Sequence, residues 1–189
     1  MKGVEIDMTI ITDRDKEIKK FLKEVTVADT KTIHTLFFTG TTMRNCQKRL
    51  KQLVDIGFIK CYRQNIISQN IYYLRKPKNI PHKIIFSQLL AEIKMKNIEL
   101  LKYRSPFAIG NLIADGLIVI RKHEEIKIYF VEVERTKKLD VKKYLDLYYS
   151  RTYKEKFPTM PSILVLGRKP QENNVLDIVH FENTKEVVL

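Results

Sequence analysis

Four polar residues near position 45 recur at a spacing that would place them on one side of a helix. Thr41, Arg44, Asn45 and Lys48 stand at positions i, i+3, i+4 and i+7, and the apolar residues of the same stretch fall on the opposite side. Arginine can form two hydrogen bonds with a guanine edge, and asparagine can do the same with adenine. We therefore predict that Arg44 and Asn45 contact base edges of DNA.

Other residues of this region suit the phosphate backbone, because lysine, arginine and threonine donate hydrogen bonds to phosphate oxygens. The predicted phosphate contacts are Thr42, Lys48, Arg49 and Lys51 on the same helix, and Lys60, Arg63 and Arg75 on a following hairpin. The alternative for each residue is a position on a solvated helix face that binds nothing.

The distribution of charge favours contacts with DNA over a solvated helix face. Residues 40–78 contain nine basic residues and one acidic residue, Asp55, which gives this segment a net charge of +8. The whole chain has 35 basic and 22 acidic residues and a net charge of +13. Such a concentration of like charge is typical of a protein with a polyanionic partner, and double-stranded DNA is the leading candidate.

Three short helices and a hairpin would position these side chains. The predicted elements are a helix from Thr12, a helix from about Asp29, a helix capped by Thr41 or Thr42 and ended by Gly57, and two strands, 58–64 and 71–75, joined by a polar tip at 65–70. This order is typical of a winged helix-turn-helix, and the alternative is a structural bundle of three helices.

Acidic residues suggest a second kind of chemistry in the other half of the chain. Strands are predicted at 117–121 and 126–134 with a turn near residue 123, so Asp115 and Glu132 come opposite each other. Two carboxylates can hold a divalent cation, and a neighbouring lysine could help to activate water. The alternative is that Asp115, Glu132 and Glu134 are solubilising or ion-paired residues at strand ends.

The remaining pattern predicts an α/β domain after a linker. Pro77 and Pro81 bound the linker, 77–81, which separates a domain at 1–76 from one at 82–189. The second domain is predicted to contain a helix from His82 to about residue 97, strands near 98–103, 117–121, 126–134, 162–167 and 175–181, and a helix at about 140–153.

Three short motifs of this half resemble those of a known family. They are the strands Ala-Asp-Gly-Leu-Ile-Val-Ile at 114–120 and Phe-Val-Glu-Val-Glu-Arg-Thr at 130–136, and Lys-Lys-Tyr at 142–144. They resemble the replication-relaxation protein family of plasmids and integrative elements, and the resemblance covers about residues 11–166. It implies an N-terminal winged helix-turn-helix followed by a restriction-endonuclease-like, PD-(D/E)XK-like α/β domain. It also implies an accessory role in DNA relaxation, replication or conjugative transfer.

The chain departs from the pattern of active nucleases of this fold. Glu134 occupies the position where such nucleases carry the catalytic lysine. The alternative sources of that lysine are Lys137, Lys138 and Lys143 in the following turn and helix, and Asp115 and Glu132 would then hold Mg²⁺. We expect a binding protein that requires no cofactor. The alternatives are a transcriptional regulator that uses the same helix and a Mg²⁺-dependent endonuclease.

Composition limits the cellular setting. No apolar run approaches the roughly 20 residues that cross a bilayer, and the acidic residues Glu5 and Asp7 argue against a signal peptide. Cys46 and Cys61 show no metal-binding spacing and are predicted to be buried thiols. These features favour a cytoplasmic protein without a membrane partner. A homodimer is expected, with relaxase or replication proteins as further partners.

Overall fold

The computed structural model of the chain describes residues 10–63, 65 and 68–189 and shows a mixed α/β protein. The first elements are α1 (Asp13–Val25), β1 (Val27–Asp29), α2 (Thr30–Phe37), α3 (Met43–Asp55), β2 (Lys60–Tyr62) and β3 (Ile71–Tyr73). Gln64, Ile66 and Ile67, which belong to the predicted hairpin, lie outside the described residues, as do residues 1–9 of the predicted first domain.

The starts of the three predicted helices are confirmed, and each has a local cause. Thr12 caps α1 in a capping box, because its side chain accepts from the Asp15 amide while the Asp15 carboxylate accepts from the Thr12 amide. The Asp29 side chain caps α2, and the Thr42 side chain caps α3 by accepting from Asn45 N–H.

The predicted hairpin, β2–β3, belongs to a three-stranded antiparallel sheet in the order β1-β3-β2, in which β3 is the central strand. Strand β1 was not predicted, because three residues between two helices are too few to show the alternation of a strand. Its pairing with β3, Val27 opposite Tyr73 and Asp29 opposite Ile71, supplies the partner that a two-stranded hairpin lacks. Tyr72 is buried in the resulting sheet.

The helix α4 (Ile80–Met95) begins two residues earlier than predicted. Pro81 falls in its first turn, where proline is tolerated because the missing N–H would have no partner there. The last two residues of the predicted linker, 80 and 81, therefore belong to the helix. Two side chains of α4 hold α2: Gln88 Nε2 donates to Asp29 Oδ2 at 2.7 Å, and Lys94 Nζ donates to the carbonyl oxygen of Leu36 at 2.6 Å.

The rest of the chain forms a five-stranded mixed sheet with a small hairpin and a further helix. The elements are β4 (Glu99–Arg104), β5 (Phe107–Ile109), β6 (Leu112–Ala114), β7 (Gly116–Lys122), β8 (Glu125–Glu134), α5 (Val141–Ser150), a 3-10 helix (Thr152–Glu155), β9 (Ser162–Gly167) and β10 (Ile178–Phe181). The sheet order is β10-β9-β8-β7-β4, parallel in the two pairs that contain β9 and antiparallel elsewhere. The hairpin β5–β6 was not predicted.

Two groups of buried apolar side chains lie on the two sides of this sheet. One is continuous from α1 through α4 to strands β7 and β8, so the N-terminal helices share a core with the sheet. The other packs α5 against the opposite face, with Phe130, Tyr144 and Ile163 among its members. Among the described residues, no helix is long and apolar enough to cross a membrane.

Gly116 provides a test of the packing between α4 and the sheet. A Cβ atom at this position would lie 2.0 Å from Cε2 of Phe86, whose ring is fully buried in α4. We expect Gly116→Ala to lower the free energy of unfolding by about 1–3 kcal/mol, since overpacking forces side chains to shift. Urea denaturation measures the effect. The double variant Gly116→Ala/Phe86→Leu should be destabilised by less than the sum of the two single variants. Free-energy changes that add in full would contradict the contact.

Candidate functional site

The predicted base-contacting residues lie on the exposed face of α3. Arg44, Asn45 and Lys48 are exposed, whereas Cys46 and Leu50 of the same helix are fully buried. The residue pattern therefore placed this helix correctly, with its apolar side toward the core. The free side chains of Arg44 and Asn45 can reach outward to a ligand.

The turn before α3 is held by polar contacts. Thr41 Oγ1 donates to the carbonyl oxygen of Phe38 at 3.0 Å, and Nε2 of His34 lies 2.9 Å from the carbonyl oxygen of Thr41. Thr42 uses its hydroxyl as the helix cap. Thr41 and Thr42 thus fix the first turn of α3, and both remain exposed.

Arg49 has a different role from the predicted phosphate contact. Its guanidinium forms an ion pair with Asp15 at 2.5 Å, with a second hydrogen bond from Nε at 3.1 Å, and Nη2 donates to the carbonyl oxygen of Ile10 at 2.6 Å. The Asp15 side chain is fully buried, and that of Arg49 is 17% exposed. Arg49 therefore ties α3 to α1, and we remove it from the candidate interface.

Asp15 is stabilised as a carboxylate by these contacts. Burial by itself would raise the pKa of Asp15, but hydrogen bonds from Arg49 and Thr12 outweigh it, so the pKa lies below its usual range. The ion pair could not be predicted from local pattern, because its partners are 34 residues apart.

A groove of about 680 Å³ lies between α3 and the hairpin β2–β3. Three basic residues line it: Lys31 at the start of α2, Lys51 of α3 and Arg63 after β2. Lys51 Nζ lies 3.0 Å from Asp55 in an exposed pair, and Arg63 Nε donates to the carbonyl oxygen of Ser68 at 2.8 Å. Lys60 and Arg75 are exposed on the same hairpin. The sequence-based prediction missed Lys31, since it precedes the basic segment.

The register of β7 and β8 agrees with the predicted placement of Asp115 opposite Glu132, and the two carboxylates bind different partners. The β7–β8 register pairs Gly116 with Val131, and its continuation places Asp115 opposite Glu132. Asp115 Oδ2 accepts a hydrogen bond from Val133 N–H at 2.9 Å. The predicted hairpin geometry is confirmed at this end of the sheet.

Of the three lysines considered there, Lys143 is the one that reaches the acids. Its Nζ lies 2.6 Å from Oε1 of Glu132, to which the Tyr144 hydroxyl also donates. Lys137 and Lys138 lie in the exposed turn after β8 and form no ion pair with the described residues. Glu132 is 4% exposed, and burial raises its pKa although Lys143 and Tyr144 act in the opposite direction.

Asp115 also borders a cleft of about 210 Å³ at the start of α4. His82 Nδ1 lies 3.7 Å from Asp115 Oδ2. Lys83 and Glu134 line the same cleft; burial lowers the pKa of Lys83 and raises that of Glu134. The sequence-based prediction used His82 only as the start of a helix and assigned no role to Lys83.

The acids at this end of the sheet do not form a preassembled Mg²⁺ site. One oxygen of Glu132, Oε1, already accepts hydrogen bonds from Lys143 and Tyr144, and the oxygen ligands of Mg²⁺ must be available to the metal. In the described part of the chain, no three His, Cys, Asp or Glu side chains are grouped so that they could hold a metal ion.

The two cysteines are not activated. Cys46 is buried as predicted, and burial raises the pKa of its thiol to about 12. Cys61 is half-buried rather than buried, and burial raises its pKa as well. Because the thiolate is the reactive form, nucleophilic chemistry at either residue is disfavoured.

Comparison with known proteins gives no relative. No family model, curated protein or solved structure matches this chain.

The role of Arg49 can be tested beside its exposed neighbour Lys48. We expect Arg49→Met to lower the free energy of unfolding by about 3 kcal/mol, because Asp15 would remain buried without its partner. Lys48→Met should change it by less than about 0.5 kcal/mol. Urea denaturation of the two variants makes the comparison, and equal effects would contradict the structural role of Arg49.

The same pair predicts a pH dependence. Because the pKa of Asp15 is lowered in the folded state, the stability that it contributes is present above its unfolded value and is lost as the pH falls. The difference in the free energy of unfolding between the wild type and Arg49→Met should therefore decrease between about pH 5 and pH 3. Urea denaturation at a series of pH values measures this difference. A difference that does not change with pH would show that the Asp15 carboxylate is not involved.

Proposed function

We propose that this protein binds double-stranded DNA through α3 and the hairpin β2–β3, used as a winged helix-turn-helix. The observation that carries the proposal is the exposed face of α3, on which Arg44, Asn45 and Lys48 project away from a fully buried apolar side. In such proteins the corresponding helix enters the major groove, and its first residues meet the base edges. Arg44 and Asn45 occupy the first turn of α3.

The groove beside α3 supports a path for the DNA backbone. Its lining residues Lys31, Lys51 and Arg63 come from three separate elements and approach one channel. A phosphodiester strand between the helix and the hairpin would neutralise them together. We assign Lys48, Lys51, Lys60 and Arg75 to phosphates as well, and we assign Arg49 to the fold.

We propose that the second half is a nuclease-like scaffold without catalysis. The position of a catalytic lysine holds Glu134, and Lys143 is committed to the buried Glu132. Breaking such a buried pair is costly, because it leaves one charge without a partner. The pair is better suited to joining α5 to β8 than to activating water.

The biological setting that we propose follows from the family resemblance of the motifs at 114–120, 130–136 and 142–144. It is an accessory role at plasmid or integrative-element DNA, in relaxation, replication or transfer. A single reading helix contacts few base pairs, so a homodimer would double the recognised site. Selection of bound sequences from random duplexes would give two half-sites if the dimer reads DNA, and a single short site otherwise.

The salt dependence of duplex affinity and the preference for one DNA sequence test the α3 interface separately. Duplex affinity should fall by about a thousandfold between about 50 and 200 mM salt if six phosphates are contacted. Arg44→Ala should reduce the preference for the selected sequence over a random one, whereas Lys51→Ala should weaken both alike. Fluorescence anisotropy with labelled duplexes measures these affinities. An affinity that does not change with salt would overturn the proposal.

The absence of catalysis is tested on supercoiled plasmid DNA. With Mg²⁺ or Mn²⁺ present, we expect no nicked or linear product above that of Asp115→Asn, which removes one candidate metal-binding charge at the cleft. Agarose electrophoresis over time separates the three DNA forms. Metal-dependent cutting by the wild type that disappears in Asp115→Asn would show an endonuclease.

A further inference from the structure

The net charge of the chain resides in two segments, of which the proposed α3 interface uses only one. Residues 135–156, which include α5 and the 3-10 helix, contain eight basic and three acidic residues. Outside residues 40–78 and 135–156, the chain has 18 basic and 18 acidic residues. The entire net charge of +13 is thus divided between the α3 region and the α5 region.

An exposed aromatic ring lies within the α5 region. Tyr149 is 68% exposed and is the only aromatic side chain classed as exposed in the described part of the chain. The ring of Tyr148 supports it edge-on, with centroids 5.4 Å apart and planes at 80°, and Tyr148 stacks in turn on Tyr153 at 6.4 Å. Tyr149 therefore projects from a braced group of rings.

Three exposed cations accompany this ring. Lys142 lies two turns before Tyr149 on the same face of α5, Arg151 ends the helix in a left-handed conformation (φ 58°), and Lys154 follows in the 3-10 helix. None of the three forms an ion pair with the described residues. One acid, Asp146, shares the face, and the cations outnumber it.

We propose that this surface of Lys142, Tyr149, Arg151 and Lys154 binds single-stranded DNA. Proteins hold unpaired strands by stacking bases on aromatic rings while cations contact the neighbouring phosphates. In a duplex the base faces are already stacked on one another, whereas an unpaired base can stack on Tyr149. The surface is separate from α3, so this inference does not rest on the duplex-binding proposal.

Anisotropy of a labelled oligothymidine of about 12 nucleotides tests the assignment. We expect Tyr149→Ala to weaken binding by about tenfold and Tyr149→Phe, which keeps the ring, by less than about twofold. Lys154→Gln should reduce the salt dependence of this binding by about one phosphate contact. The matched control is Ile126→Ala, which removes another exposed apolar side chain (59%) at the turn end of β8 and should bind as the wild type does.

A second measurement locates the contact directly. Photo-cross-linking of an oligonucleotide that carries 5-iodouracil, followed by mass spectrometry of the peptides, should place the bound base on Tyr149. Unchanged oligothymidine affinity in Tyr149→Ala, or a cross-link confined to α3, would overturn the proposal. Tighter binding of an RNA strand of equal length would also reject the assignment to DNA.

Two controls separate this surface from other roles. Arg44→Ala should lose duplex sequence preference and retain the Tyr149-dependent binding of the single strand, so each interface can fail without the other. Sedimentation of Tyr149→Ala tests self-association. A dimer that dissociates in this variant, with the oligothymidine affinity unchanged, would assign the ring to a subunit contact and reject the proposal.

Discussion

The packing of α4 between the N-terminal helices and the five-stranded sheet is the constraint on which both halves of the molecule depend. Phe86, Leu89, Leu90 and Ile93 bury the helix within a core that reaches from α1 to β8. Gly116 permits the sheet to approach, because the Phe86 ring occupies the space of any larger side chain. Because the contact is apolar on both sides, the three-helix region and the sheet stabilise each other.

Polar contacts then set the orientations that packing alone leaves open. Gln88 and Lys94 of α4 bind the two ends of α2, and the Arg49–Asp15 pair joins α3 to α1. The helix that carries Arg44 is thus anchored by residues on its buried side, which leaves its outer side available to DNA. At the far side of the sheet, the Glu132–Lys143 pair holds α5 in the same manner. Arg49 and Lys143 were both candidates for functional residues on the basis of sequence pattern, and in the structure each joins two elements of the fold.

The elements that could be predicted from the sequence are those whose causes are local. The caps Thr12, Asp29 and Thr42 stand where the three helices were predicted to begin, since a cap acts within three residues. The short turn between β7 and β8 determined the register, and the register placed Asp115 opposite Glu132. The exposed face of α3 also followed from spacing, because helical periodicity alone separates Arg44 from the buried positions.

Which of the charged residues have a partner depends on how distant segments of the chain pack together. Arg49 and Lys48 are adjacent in sequence and both basic, yet Arg49 is held in an ion pair by a residue 34 positions away, whereas Lys48 lies in solvent. Likewise, Lys143 rather than Lys137 meets Glu132, since α5 folds back over the sheet. The exposure of Tyr149 was equally undetermined by helical spacing. Contacts between distant segments depend on how the elements pack, and a local pattern carries no information about that packing.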